Sequence, residues 1–416
     1  MAGDFMSAGT FLGTVGLIFL YGFDGTLILT AALFSFLPVL FLLAERLRNS
    51  GAYTLAAMLS VRFGGQGVRS AAAVNTIVVS FFYLFAQLVG AGAILQALSG
   101  LNFTVAVLLT GAFMTVYVAL GGMLGATWVM IVKALLLVVA GVVMAGAVLA
   151  QAGFDFGALT DMAALHQQGE AILGPGLLLP AATPVDTVSY GLVYMLGTAG
   201  LPHVLIRFFT VTDGHTARRS LGWAIGVMGG FFLLVVVIGY GARALLTGDS
   251  VTEAAGSGGN LVAPILAREL GGGAGSTGGA IALAVIAGVA FLTILAVVSG
   301  LLISASGAVA HDLWTGVLRR GSADAERREP LVARVTAISI GVVATLATVL
   351  IGSSFNITFL LGLAFLVAAS ANLPVVLLTL FWPRFTRTGA VVGLLGGLAV
   401  SITVIVLSPT VLGGGA

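Results

Sequence analysis

Gly197-Thr-Ala-Gly-Leu-Pro-His203 is the stretch whose residue types and spacing bear most directly on chemistry. It lies inside an apolar segment running from about Thr187 to Phe209. Glycine-rich backbone followed by a proline cannot sustain continuous i→i−4 hydrogen bonding, so a helix is expected to break here. Pro202 suits the first position of a new half-helix, because it has no N–H to leave unpaired. The free amides of such a terminus attract a carboxylate or another anion. Irregular backbone at membrane depth survives only inside protein or along a polar cavity, so the break points to a transporter's binding site. Close helix packing through the glycines is the plainer reading.

A second signal is periodic. Thr76, Ser80, Tyr83, Gln87 and Gly90 recur at spacings of four and three and so share one helical face. Lipid disfavours such a stripe, which must face the bundle interior, either lining a cavity or bonding a neighbouring helix. Leu84 on the same helix is taken as lipid-facing. Thr187, Tyr190, Tyr194 and Thr198 form a matching run that leads into the break. His203 follows it as a cavity residue, with Arg207 one turn on as an interfacial anchor. Lys133, the only lysine, sits about two turns into an apolar span. It either snorkels to the interface or supplies a fixed or titratable positive charge beside an ion pathway. Thr293, Ser299, Ser304 and Ser306 offer hydroxyls for packing or for a hard cation. His311-Asp312 reads as the cap that ends their helix.

The elements that must position these residues follow from composition. Hydrophobic residues make up 59% of the chain and charged residues 8%, with a mean hydropathy of +1.16. That is a polytopic membrane protein, and its 59 glycines suit closely packed membrane helices. The absence of cysteine excludes disulfides and thiol chemistry. Met1 leads into helix-breaking sequence, not into the basic start of a cleavable signal. Apolar segments of spanning length fall at about 4–21, 24–44, 70–98, 103–120, 125–150, 186–208, 221–246, 278–310, 331–351, 357–381 and 388–408, eleven in all.

If the loop holding Arg46, Arg48, Arg62 and Arg69 is cytoplasmic, alternation puts Arg207, Arg218, Arg219, Arg319, Arg320, Arg327, Arg328, Arg334, Arg384 and Arg387 on the same side. Only Arg243 and Arg268 fall outside, and the 151–185 loop carries Asp155, Asp161 and Glu170 without a basic residue. The first span mirrors the opening stretch: Gly3-Asp-Phe-Met-Ser-Ala-Gly-Thr-Phe-Leu-Gly13 mixes glycines and hydroxyls, so a break is expected near Met6–Gly9. Asp4 is either a helix-end cap or an ion-pathway carboxylate. Breaks in the first and sixth spans, each opening a group of five, suggest inverted five-helix repeats.

Several stretches resemble the solute:sodium symporter family, and within it the cation/acetate (monocarboxylate) permease branch. They are Ala2-Gly-Asp-Phe-Met-Ser-Ala-Gly-Thr-Phe-Leu-Gly13, Leu43-Ala-Glu-Arg-Leu-Arg-Asn49, Ala86-Gln-Leu-Val-Gly-Ala-Gly92, Gly121-Gly-Met-Leu-Gly-Ala-Thr-Trp128, the block from Gly197 to Asp213, Ile294-Leu-Ala-Val-Val-Ser-Gly-Leu301 and His311-Asp-Leu313. The resemblance implies an all-α membrane protein of the leucine-transporter fold, with five-plus-five inverted repeats and one peripheral helix. The whole chain, 1–416, is then a single transporter domain, with repeats at about 1–152 and 184–382 and the peripheral helix at about 388–408. Members of the family carry a further helix ahead of the first one here, and more sequence after residue 416. In sodium-coupled relatives the ion sits between carbonyls matching Gly3 and Met6 on the first helix and Thr293 on the eighth, with two adjacent hydroxyl side chains. Those hydroxyl positions are Ala296 and Val297 here, which offer no side-chain oxygen. Lys133 is the candidate for the missing positive charge.

Residues and resemblance together give a secondary active symporter of the cell membrane. It imports a short monocarboxylate such as acetate or propionate, driven by a Na+ or H+ gradient, with no cofactor and no nucleic-acid partner. Ser7, Gly9 and Thr10 at the first break and Thr198, Gly200 and His203 at the second are expected to hold the carboxylate, with Tyr83, Gln87 and Tyr194 lining the cavity. The rival class is a solute-sensing or channel-like membrane module without coupled transport. Neither H-E-x-x-H nor G-x-S-x-G occurs, and no pair of carboxylates lies mid-membrane, so no enzyme activity is expected.

Overall fold

The computed structural model describes residues 2–52, 54–166, 168–178, 184–209, 211–319, 322–353 and 355–408, with the side chains at 2, 4, 120–127, 184 and 323 outside the description. Asp4 therefore falls beyond what is described here. Among the described residues, sixteen helices and one short 3-10 turn (Gly169–Leu173) follow; the helices, in order, are α1 (Ala2–Phe5), α2 (Gly9–Tyr21), α3 (Phe23–Asn49), α4 (Leu55–Phe63), α5 (Gln66–Ser99), α6 (Phe103–Gln151), α7 (Phe156–Ala164), α8 (Pro184–Gly200), α9 (Pro202–Phe209), α10 (Gly214–Leu245), α11 (Asp249–Gly256), α12 (Val262–Leu270), α13 (Thr277–Leu318), α14 (Ala323–Ile351), α15 (Ile357–Phe381) and α16 (Arg387–Val406). No strand occurs among the described residues.

The helix ends are written in the sequence. Asn102, Ser276 and Asn356 each accept a hydrogen bond from a backbone amide of the turn they open, at 2.8–2.9 Å. Gly100, at φ +69°, closes α5 in the left-handed conformation that glycine adopts without strain. Asp213 caps α10, and the amide of Thr216, followed by the Thr216 and Thr212 hydroxyls, holds its carboxyl down at about 2.

Nine helices among the described residues are long and apolar enough to cross a membrane, and two shorter apolar ones, Gly9–Tyr21 and Phe103–Ala119, complete the eleven expected segments. The first is short because the break removes its opening turn. The fourth and fifth expected spans are arms of α6, whose helical backbone runs on between them. Gly111 on the first arm packs against Thr345 of α14, and Gly141 on the second against Phe231 and Leu234 of α10.

Four arginines of the first basic loop gather at one end of the bundle. Arg46 donates to Leu380 O (3.3 Å), Arg48 to Thr212 O (3.0 Å) and Arg62 to Trp382 O (2.6 Å), while Arg69 pairs with Asp312 at 3.3 Å. That is the one-sided distribution the positive-inside rule requires. The same network corrects the expectation for His311-Asp312. α13 does not end there but continues as a π-helical stretch, Ala308–Leu318. Asp312 accepts from Thr54 and Arg69 across the bundle, so its oxygens are not spent on a cap. Leu84 also differs from expectation: it is buried, because α5 is enclosed by α6, α13 and α15 over most of its length.

Candidate substrate and ion site

Both expected interruptions are present. α1 ends at Phe5, Met6 and Ser7 leave the helix, and α2 restarts with a π turn at Gly9–Gly13. Thr10 bridges the gap: its Oγ1 accepts from Ser7 N at 2.9 Å and lies 3.0 Å from both Phe5 O and Ser7 O. Its hydroxyl is thus committed to the backbone of the break, whereas Ser7 is buried beside it. The second break falls at Leu201, between α8 and α9. Leu201 O receives the amides of Val204 and Leu205 at 3.1 and 3.0 Å, with Pro202 in the first helical position.

One helix braces both breaks. Gly9 O accepts from Thr358 Oγ1 at 2.8 Å, Gly13 O from Asn356 Nδ2 at 3.0 Å, and Gly200 O from Asn372 Nδ2 at 3.1 Å. All three donors sit on or at the start of α15, whose own ladder loosens into a π turn at Ala368–Asn372. Such turns recur at functional sites. Gly197 and Gly200 lie flat against Phe365 and Ala368, where an added Cβ would strike backbone. Substituting Gly200 with Ala is expected to lower stability by roughly 1–3 kcal/mol, since backbone would have to shift; an unchanged unfolding temperature of the purified variant would show the contact to be slack.

The polar stripe of α5 faces this braced region. Thr76, Ser80, Tyr83 and Gln87 are all buried. The Tyr83 ring stands edge-on to His203 at 4.9 Å and to Phe365 at 6.1 Å, and Tyr194 packs on Phe365 at 5.3 Å. The Tyr194 hydroxyl donates to Thr358 O (2.9 Å) and Thr198 Oγ1 to Tyr194 O (2.7 Å), so these two serve the wall. Gln87 is different. It is 0% exposed, and among the described residues neither its amide nitrogen nor its amide oxygen has a hydrogen-bond partner. Such a group costs roughly 1–3 kcal/mol if it stays unmet.

Of the residues considered for the ion, Gly3 and Lys133 lie on helices that touch. Gly3 of α1 backs onto Met130 O and Ala134 of the second α6 arm, and Gly300 of α13 faces Met130 Cε. α13 runs toward the arginine-rich end and this arm runs away from it, so one turn beyond Met130 is level with one turn before Gly300. Those positions are Lys133, 0% exposed, and Ala296-Val297, both buried. Thr293 lies one turn further along, its Oγ1 bonded to Val289 O at 2.8 Å, and Ser299 bonds back to Ala296 O at 2.7 Å. Arg207, read as an anchor, reaches Met130 Sδ at 2.8 Å from the neighbouring α9. No cluster of three or more His, Cys, Asp or Glu suited to a metal occurs among the described residues.

Residues 1–397 match the sodium:solute symporter family. The chain belongs to that family. It is 43% identical over 412 residues to the uncharacterized symporter YwcA of Bacillus subtilis (strain 168), covering 99% of this chain and 78% of that protein. Its fold superposes with a TM-score of 0.70 on a Na+-coupled sialic acid symporter in a substrate-bound outward-open state, at 18% identity, covering 97% of this chain and 84% of the other. The protein is a multi-pass membrane symporter of the leucine-transporter fold, in a family whose coupling ion is Na+. Sequence reasoning missed Asn356, Thr358, Phe365 and Asn372. The signal available was the polar residues punctuating an otherwise apolar tenth span.

Proposed function

We propose that this symporter moves a short-chain monocarboxylate of the acetate or propionate kind together with a cation. Alternating access then operates between the repeats at about 1–152 and 184–382, with the helix at about 388–408 peripheral. The reading rests above all on Gln87, a fully buried amide with both ends unmet among the described residues, on the α5 face that carries Tyr83. Its N–H groups suit one carboxylate oxygen, and the opening amides at Ala8–Thr10 and at His203 suit the rest of the anion. Tyr83, His203 and Phe365 wall the compartment with rings, which favours a methyl or ethyl tail over a polar or long one.

For the cation, the ammonium of Lys133 takes the position that the bound ion holds in sodium-coupled relatives. Gly3, Met6 and Thr293 would offer an ion there only backbone carbonyls, because Ala296 and Val297 bring no oxygen. A neighbouring cation would also repel Na+ at that place.

Counterflow of labelled acetate in proteoliposomes tests the substrate. Unlabelled propionate is expected to compete with acetate within a few-fold, and hexanoate far more weakly. Absence of any carboxylate counterflow in active protein would remove the reading, and an unsaturable leak would favour a channel.

A further inference from the structure

Asn372 is half satisfied. Its Nδ2 donates to Gly200 O at 3.1 Å, which fixes the amide and turns Oδ1 the other way. Oδ1 is buried and has no partner among the described residues. The contrast with two buried asparagines that meet the start of the same helix, Asn356 at its cap and Asn260 from just before α12, is direct. Asn356 spends its nitrogen on Gly13 O and Gly258 O and its oxygen on Thr358 N. Asn260 spends its nitrogen on Phe355 O and its oxygen on Ile357 N.

Ser80 carries a second orphan. It is 0% exposed, and its Oγ has no partner among the described residues, although a serine in a helix ordinarily bonds back to the preceding turn. The two orphans lie about one turn apart along facing helices. α5 and α15 run antiparallel, with Gly90 against Ile357 and the Tyr83 ring against Phe365. Continuing that ladder puts Ser80 level with Ala368, on which Gly200 packs, and Thr76 level with Asn372. Asn75 leaves its oxygen unmet as well, but its nitrogen is turned to Leu394 O of α16. Helix geometry places it about 140° around α5 from Ser80, so it belongs to another contact.

Chemistry narrows the occupant. With one Nδ2 hydrogen on Gly200 O fixing the amide, the unmet Oδ1 is an acceptor, which repels a carboxylate and welcomes a cation. Amide and hydroxyl oxygens are the ligands a hard cation takes. We infer that a second site, formed by Asn372 Oδ1 and Ser80 Oγ with Thr76 one turn below, binds Na+ just to the arginine-rich side of the Leu201 break, with water completing its shell. The inference rests on the proposed function only where Lys133 keeps Na+ out of the family's usual position.

The test is the thermal unfolding midpoint of the purified protein, titrated with NaCl against choline chloride at constant ionic strength, and separately with acetate. Na+ is expected to raise the midpoint of the wild type where choline does not. Ser80→Ala and Asn372→Ala are each expected to raise the Na+ concentration for half the effect by about tenfold or more, the loss of one good ligand. Ser80→Thr, which keeps the hydroxyl, is expected to stay within a few-fold of wild type, and it carries the test with Ser80→Ala if Asn372→Ala does not fold. No Na+ response in the wild type, or one unchanged in Ser80→Ala, would overturn the site. Acetate protection without a Na+ response would overturn this site and leave the carboxylate reading standing; Na+ protection without an acetate response would do the reverse.

Discussion

Lys133→Gln is expected to lose uphill accumulation of acetate by tenfold or more while the protein remains able to exchange acetate across the membrane. The ammonium is fully buried, on an α6 arm that touches the α1 half-helix through Gly3 and faces α13 through Met130 and Gly300. A buried charge in a membrane span is costly unless it is paired or serves a pathway, and here it stands level with two apolar residues where sodium-coupled relatives have hydroxyls. Removing it leaves the junction of α1 and α13 without a positive charge, so the cation gradient loses its hold on the substrate site. Lys133→Arg is expected to recover the function only in part, since a planar guanidinium does not fit the space of a compact ammonium. The measurement is the accumulation ratio of labelled acetate in proteoliposomes, beside counterflow in the same preparation. Loss of both together, with an unfolding midpoint far below wild type, would instead assign Lys133 a purely architectural role.

Gln87→Ala is expected to weaken acetate affinity by roughly ten- to a hundredfold, the usual cost of one hydrogen bond to a charged group at about 1.5–3 kcal/mol. Tyr83→Phe should move in the same direction by less, because the ring contacts with His203 and Phe365 survive. The control has to lie on the outer face of α5. Leu84 is buried, whereas Val74 is 37% exposed, so Val74→Ala should leave affinity unchanged. Competition of unlabelled acetate against labelled acetate reads all three. Equal affinity in Gln87→Ala and wild type would return the α5 stripe to helix packing.

Much of this architecture is legible in the sequence because membrane physics is strict. Spans follow from unbroken apolar length, and the shared arginine end follows from the one-sided placement of basic residues. The breaks follow from glycine and proline where a helix cannot continue. The stripe from Thr76 to Gln87 is visible because a period of 3.6 in polar residues has no lipid-facing explanation.

What stayed hidden is what depends on neighbours distant in the chain. Asn356, Thr358 and Asn372 look like scattered polar residues until α15 is laid across both broken helices, when they become donors to Gly13, Gly9 and Gly200. Thr10 reads from sequence as a carboxylate-binding residue and Tyr194 as a cavity residue, yet the hydrogen-bonding groups of both are engaged with backbone. Local pattern marks such groups as polar; only packing decides which keep a free end.

The most direct test of the central claim is labelled acetate uptake into proteoliposomes with the Na+ and pH gradients imposed separately, in wild type and in Lys133→Gln. The account predicts concentrative acetate uptake in the wild type under an imposed cation gradient, and collapse of that accumulation in Lys133→Gln. Uptake that follows the Na+ gradient alone, ignores the pH gradient and persists unchanged in Lys133→Gln would contradict it.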